Sequence, residues 1–354
     1  MKYIIWILSL LIILFLSSCP MPFDDIVNMS SRELIEYKTR GVRNARLTVG
    51  IVQNGQMLFT VYGKNGRILP NIEHIYEIGS ISKPITAQLF ARAISENRVS
   101  LNDQIDRFLA LTSKTYYPTI RRLLTHTSGY RIDYYMGSLA TTNFLPFGNP
   151  FYGMTRRMVL DQIGRINLEN RDYPFEYSNF GFAVAGLVLE EIFEENFTSL
   201  MNNYLRNDLG LSNTRVGDGR GDLSNYWRWN DGNPGIASGG LVSTITDMMK
   251  FAQMQIDEYP SYVSDSHDVL AQIPQQWFPS GFFIRDDAMG LGWIIDEGNG
   301  IIWHSGETTT FCTFVGFDKA HEIAVVVLSN FRQSLHRPID SFMIGSAIIK
   351  ELRN

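Results

Sequence analysis

Ile78-Gly79-Ser80-Ile81-Ser82-Lys83-Pro84 is the stretch on which the reading of this chain turns. A serine three residues before a lysine brings a hydroxyl and an ammonium to one face of a helix, because residues at i and i+3 are surface neighbours. A hydroxyl nucleophile needs such a partner to take its proton at neutral pH. The strand-like Ile75-Tyr76-Glu77-Ile78 leads in, and Pro84 falls where a first helical turn accepts proline. From Ile85 onward Leu89, Phe90, Ala93 and Ile94 recur at helical spacing. Ser80 is therefore expected at a helix N-terminus, where free N–H groups and the dipole favour a developing oxyanion. A lone Ser-x-x-Lys also arises by chance, so its surroundings decide.

Three further strings supply those surroundings: Leu123-Leu124-Thr125-His126-Thr127-Ser128-Gly129, Tyr177-Ser178-Asn179 and His304-Ser305-Gly306. In this order they read as an active-site serine hydrolase. Serine, lysine and tyrosine suffice for acyl transfer, so neither a cofactor nor a metal is implied. His74, His267, His321 and His336 lack metal-ligand spacing and read as surface or structural residues. His126 reads as a residue that orders a turn. Asp231, Asp247 and Asp296 are not needed as a third triad member, and Asp247, after Ser243-Thr244-Ile245-Thr246, reads as a carboxylate at a helix N-terminus. Arg220-Gly221-Asp222 sits in a glycine-rich loop and reads as chance.

The chain has 354 residues, 45% hydrophobic and 19% charged, which is ordinary globular chemistry with length enough for a large core. A formal charge of -5 carries no basic excess, which argues against a nucleic-acid partner. Lys2 is followed by an apolar run from Ile4 to Leu16 and then Ser17-Ser18-Cys19, the make-up of a secretory signal. A run this short is a poor membrane span. Leu16-Ser17-Ser18-Cys19 resembles the bacterial lipobox, which implies cleavage before Cys19, lipid attachment to its sulfur and an exported protein anchored to a membrane of the cell envelope. Cys312 is the other cysteine, leaving no intramolecular disulfide in a lipidated chain; it lies in a strand-like run and reads as a small buried hydrophobe.

The expected organisation is a signal peptide over 1–18, a tether over 19–28 and one domain over 29–354. Asn54-Gly55 separates two β-rich runs, 47–53 and 56–62, and is a strong hairpin signal. A second hairpin is expected from 311–317 and 323–328, a polar helix over 31–40 and an amphipathic terminal helix over 339–352. The middle reads as helical, with candidates at 118–124, 158–166, 180–195 and 197–207. Strands at both ends enclosing helices predict an α+β fold: an antiparallel sheet flanked by helices (29–83 and 236–354) beside a mostly helical subdomain (84–235). The Asn/Gly/Asp-rich stretch 217–235 reads as a long loop bordering the site. Tyr134, Tyr135, Phe144, Phe147, Phe151 and Tyr152 cluster in another loop and are expected to wall the site.

These strings, with Ala237-Ser238-Gly239-Gly240-Leu241 and Gly290-Leu291-Gly292-Trp293, resemble the serine β-lactamase and penicillin-binding-protein superfamily from Arg46 to the C-terminus, in its class C-like branch of β-lactamases, D-peptide hydrolases, D-aminopeptidases and esterases. The resemblance implies a β-lactamase/transpeptidase-like fold. It implies that Ser80 is the acylated nucleophile, Lys83 its base or proton relay, Tyr177 a partner that shares the proton with Lys83 and acts on the leaving group, and Asn179 a substrate ligand. The N–H groups of Ser80 and Glu307 would form the oxyanion hole, with His304, Ser305 and Gly306 beside it. His304 departs from the lysine usual in class C β-lactamases and gives up a permanent cation, which ranks peptidase or esterase activity above β-lactamase activity. Thr310 stands where relatives often carry glycine and is expected to narrow the approach to the strand. The substrate would be a small molecule or peptidoglycan-type peptide. A non-catalytic binding lipoprotein of the same fold is the alternative from another class.

The lipid anchor has a direct test. Cys19→Ser is expected to release the protein from the membrane fraction, and unchanged membrane association would favour an uncleaved helix instead.

Overall fold

A computed structural model of the chain describes residues 23–131, 148–276, 280–334 and 338–354. Cys19, Tyr134, Tyr135, Phe144, Phe147 and His336 lie outside the described residues. The chain enters through helices α1 (Phe23–Val27) and α2 (Ser31–Thr39). The end of the segment expected as a tether thus carries a helical turn, with Ile26 buried. Ser30 caps α2: its side chain accepts from the Glu33 N–H, while Glu33 accepts from the Ser30 N–H.

Strands β1 (Leu47–Gln53) and β2 (Gln56–Tyr62) form the first hairpin in the expected register. Asn54 and Gly55 take φ of 51° and 75°, as a tight two-residue turn matching the strand twist requires. The short strands β3 (Ile68–Leu69) and β4 (Tyr76–Glu77) follow, and after β4 a 3-10 turn at Gly79–Ile81 opens into helix α3 (Ser82–Ser95). Ser80 therefore precedes the α-helix by one turn instead of starting it. Helices α4 (Ile120–Leu124), α5 (Arg156–Arg165), α6 (Asn179–Phe193) and α7 (Phe197–Asn203) make up the middle. The last runs on as a π-type turn at Tyr204–Asp208.

Next come β5 (Arg215–Val216), the one-turn helix α8 (Ile236–Gly239), β6 (Leu241–Ser243) and α9 (Ile245–Ile256). Strands β7 (Ala271–Gln272), β8 (Ala288–Met289), β9 (Ile294–Asp296), β10 (Ile301–Glu307), β11 (Cys312–Asp318) and β12 (Ile323–Ser329) lead to the terminal helix α10 (Ser341–Arg353). Nine strands form one sheet in the order β3-β2-β1-β12-β11-β10-β9-β8-β7, and β4-β6-β5 form a second. β1 pairs antiparallel with β12 from Leu47↔Ser329 to Gln53↔Ile323, so distant segments share one sheet, as expected.

β12 reads Ile-Ala-Val-Val-Val-Leu-Ser without polar alternation because both its faces are covered. Val325 and Val327 pack with Leu34 of α2 and Phe342 of α10, while Val326 and Leu328 pack with Ile245 and Met248 of α9. Each such side chain contributes about 1.5–3 kcal/mol on full burial, and their sum fixes the register of the central strands. The same packing leaves no room at Gly345 of α10, where a Cβ would stand 2.2 Å from Phe314 Cδ1. The Phe314 ring is itself held against Trp303 and Phe342. An alanine gains about 1 kcal/mol of helix propensity over glycine, whereas overpacking costs about 1–3 kcal/mol. Gly345→Ala is expected to lower the urea midpoint at unchanged slope; a raised midpoint would mean that the ring yields.

Candidate active site

Two glycines let the nucleophile turn and β10 meet backbone to backbone. Gly79 has φ +52°, and a Cβ there would stand 2.7 Å from the Glu307 backbone nitrogen. At Gly306 a Cβ would stand 2.0 Å from the Ile78 carbonyl oxygen. The turn is pinned from two other strands: the Ile78 N–H donates to Leu241 O at 3.1 Å, and Thr313 Oγ1 donates to Ile78 O at 2.9 Å. Glu77, just before it, is buried and accepts from Thr308 Oγ1 at 2.7 Å and from the Trp227 N–H. Burial pushes its carboxyl up to about 7. Glu77 thereby ties β4 to the turn after β10 and to the 217–235 loop. Its only signal in the sequence is an acid inside a strand-like apolar run.

Lys83, the first-turn residue of α3, is fully buried. Its Nζ lies 2.7 Å from Asn179 Oδ1, 2.6 Å from Ser238 O and 2.9 Å from Ser80 Oγ. Among the described residues no carboxylate pairs with it, and burial pushes its ammonium well below the ordinary lysine range. Nζ also stands 4.7 Å from the centre of the Tyr177 ring. A cation–π contact of about 0.5–2 kcal/mol favours the charged form, but desolvating an unpaired ion costs several kcal/mol and prevails. The neutral amine has two N–H donors and one lone pair. Asn179 Oδ1 and Ser238 O take the donors, so the lone pair faces Ser80 Oγ, the arrangement a general base needs.

Tyr177-Ser178-Asn179 gets its geometry from a helix cap. Ser178 Oγ accepts from the Gly181 N–H at 2.9 Å and starts α6, which aims Asn179 back at Lys83. The Ser178 N–H donates to His126 Nδ1 at 3.0 Å, and the His126 ring lies 4.5 Å from that of Tyr177. His126, at φ 59°, thus orders the turn and backs the tyrosine, the structural role expected for it. Burial holds its imidazole well below the usual range and keeps it neutral.

His304 is 2% exposed, and its Nδ1 lies 2.5 Å from Ser305 O. A carbonyl only accepts, so Nδ1 carries the hydrogen and Nε2 is a bare acceptor, without a hydrogen-bond partner. Burial pushes this imidazole down to about 3. His304 is therefore no cation at neutral pH.

Ser80, Tyr177, His304, Ser305 and Glu307 line one cleft of about 420 Å³. Lys83 and Asn179 are bonded behind Ser80, and Gly306 supports the strand. Cys312, Gln333, Asp340 and Phe342 also line the cleft, and the last three were not singled out in the sequence because they reach it only through the β12–α10 connection. Cys312 is buried on β11 and its Sγ accepts from the Ser341 N–H, in keeping with a packing role.

Other expectations fare differently. Phe151 is no wall of the cleft: it is buried, stacks on Trp229 and meets Trp227 edge-on. Tyr152 is exposed and does not line the cleft. Thr310 sits in the β10–β11 turn, not on the strand, and donates to Asn225 O at 3.3 Å. The 217–235 loop supplies none of the cleft's lining and packs instead against the β10–β11 turn, with Trp227 Nε1 donating to Thr309 Oγ1 at 2.7 Å. Asp247 stands in the first turn of α9, but its carboxylate ties down Asn213 and Thr214. His74 holds Asp222 and His321 holds Asp318, both structural pairs, and His267 is buried. No metal-ligating cluster occurs among the described residues.

A model of the family described as Beta-lactamase matches residues 32–342. Protein flp of Staphylococcus aureus (strain N315) is 22% identical over 326 residues, covering 84% of this chain and 62% of its own length. The chain thus spans less than two thirds of that relative. The D-alanyl-D-alanine-carboxypeptidase/endopeptidase AmpH of Escherichia coli (strain K12) is 22% identical, covering 78% of this chain and 77% of its own length. Among solved structures, a beta-lactamase/D-alanine carboxypeptidase from Yersinia pestis superposes with a TM-score of 0.67 at 19% identity, over 93% of this chain and 98% of that one.

Proposed function

The chain belongs to the Beta-lactamase family, and from that premise we propose that it hydrolyses amide or ester bonds of D-amino-acid peptides, peptidoglycan stems or related esters through an acyl-enzyme on Ser80. The observation that carries this reading is the buried, unpaired Lys83 with Nζ 2.9 Å from Ser80 Oγ. Ser80 Oγ attacks the substrate carbonyl and its proton passes to the Lys83 amine. The oxyanion lies between the N–H groups of Ser80 and Glu307, donors worth about 3 kcal/mol each in such sites. Tyr177, stacked between His126 and Lys83, relays the proton to the leaving group, and water then cleaves the ester. Asn179 and the His304-Ser305-Gly306 strand hold the substrate.

A peptide or ester substrate is favoured over a β-lactam because neutral His304 offers no fixed charge to a β-lactam carboxylate. AmpH, whose name specifies D-alanyl-D-alanine-carboxypeptidase/endopeptidase activity, supports the same ranking. A non-catalytic binding role is disfavoured by the completeness of the Ser80, Lys83 and Tyr177 set. We further propose that the protein is exported and lipid-anchored through Cys19, on the strength of the apolar run and the lipobox-like string.

The test is incubation with a fluorophosphonate, a fluorescent penicillin and a chromogenic short-chain ester, read by intact mass and turnover. A mass adduct in the native protein that is lost in Ser80→Ala, with ester turnover exceeding β-lactam turnover, is expected. Turnover retained in Ser80→Ala would sink the mechanism.

A further inference from the structure

The cleft presents acceptors to whatever enters it. Asp340 brings a carboxylate to its lining, while that of Glu307 is paired with Arg332; among the described residues Gln333 Oε1 has no hydrogen-bond partner and His304 Nε2 is a buried acceptor without one. An orphaned acceptor inside a nearly closed residue costs free energy unless a ligand supplies the donor. Among the described residues the cations near the cleft are otherwise engaged. Lys83 is held toward its neutral form, and Arg332 Nη2 is bound to Glu307 Oε2 at 2.5 Å. Lys38 is buried, does not line the cleft, and donates to Ile339 O at 3.0 Å. Among the described residues no lysine or arginine forms an ion pair with Asp340.

The start of α10 sharpens the point. A helix N-terminus at a cleft would by itself attract an anion. Here Asp340 caps that terminus, its Oδ1 accepting from the Met343 N–H at 2.9 Å, and puts a full negative charge in the place of the dipole's partial positive one. Burial raises this carboxyl to about 6, which leaves it ionised at pH 7.5. A substrate carboxylate laid against Asp340 would meet a like charge, whereas an ammonium offers three donors and a compensating charge.

We propose that the Gln333 and Asp340 wall of the cleft receives a protonated amine of the substrate, so that the preferred substrates carry a free amino group near the scissile bond instead of a free carboxylate. This rests on the acyl-enzyme reading and names its substrate class.

Two matched substrate pairs test it, one for each side of the scissile bond: D-alanine p-nitroanilide with its N-acetyl form, and 4-(aminomethyl)phenyl phenylacetate with 4-(acetamidomethyl)phenyl phenylacetate, whose amine cannot reach its own ester carbonyl. In at least one pair the free amine is expected to have a kcat/KM at least tenfold higher than its acetylated partner, carried mainly by KM. In Asp340→Asn, which preserves the helix cap and whose folding is checked by its melting midpoint, that ratio is expected to fall toward one. Turnover with ratios near or below one in both pairs of the native protein overturns the amine site, as does a ratio that Asp340→Asn leaves unchanged. Absence of any Ser80 acylation overturns the acyl-enzyme reading, and this one with it.

Discussion

Everything at the site depends on an amine buried without a counter-ion among the described residues. Lys83 Nζ sits among Asn179 Oδ1, Ser238 O and Ser80 Oγ, and each comes from a different element: α6, α8 and the 3-10 turn after β4. In water the ammonium would be the stable form. In this enclosure the cost of desolvating the charge exceeds what the aromatic faces of Tyr177 and Phe182, 4.7 and 5.6 Å from Nζ, return, and the base form is favoured. The two acceptor oxygens then do more than satisfy hydrogen bonds, because by taking both N–H groups they direct the lone pair toward the hydroxyl.

That enclosure explains features of the fold that look unrelated. The sheet unites β1 near one end of the chain with β10, β11 and β12 near the other, which brings the 304–307 strand against the turn of Ser80. Gly79 and Gly306 permit the approach, since a Cβ at either would enter the backbone opposite. On the other side, Ser178 starts α6 and His126 accepts its N–H, which fixes the direction of both Tyr177 and Asn179. Glu77 and Thr308 close the back of the arrangement. A polar network buried this deeply is specific to the extent that its members are paired, and among the described residues two unpaired acceptors, His304 Nε2 and Gln333 Oε1, lie in residues lining the cleft.

Much of this was legible in the sequence because the physics was local. Asn54-Gly55 dictates a hairpin by itself, Ser80 and Lys83 meet through one helical turn, and Ser178 announces the cap of a following apolar helix. What was not legible depends on contacts between distant segments. Asp340 and Gln333 reach the cleft through the path of the chain after β12, and no spacing connects them to Ser80. Phe151 has the same composition signal as a loop aromatic and was misread as a wall, whereas Trp227 and Trp229 draw it into the core. The tautomer of His304 required the position of one carbonyl oxygen, that of Ser305.

The most direct measurement is the titration of Lys83 itself, followed by NMR of the lysine side chain and assigned by its loss in Lys83→Met. A buried base should titrate well below the ordinary value of 10.5, and the rate of Ser80 acylation should fall as the pH drops through that same point. A Lys83 that titrates near 10.5, with acylation rising only there, would contradict the account.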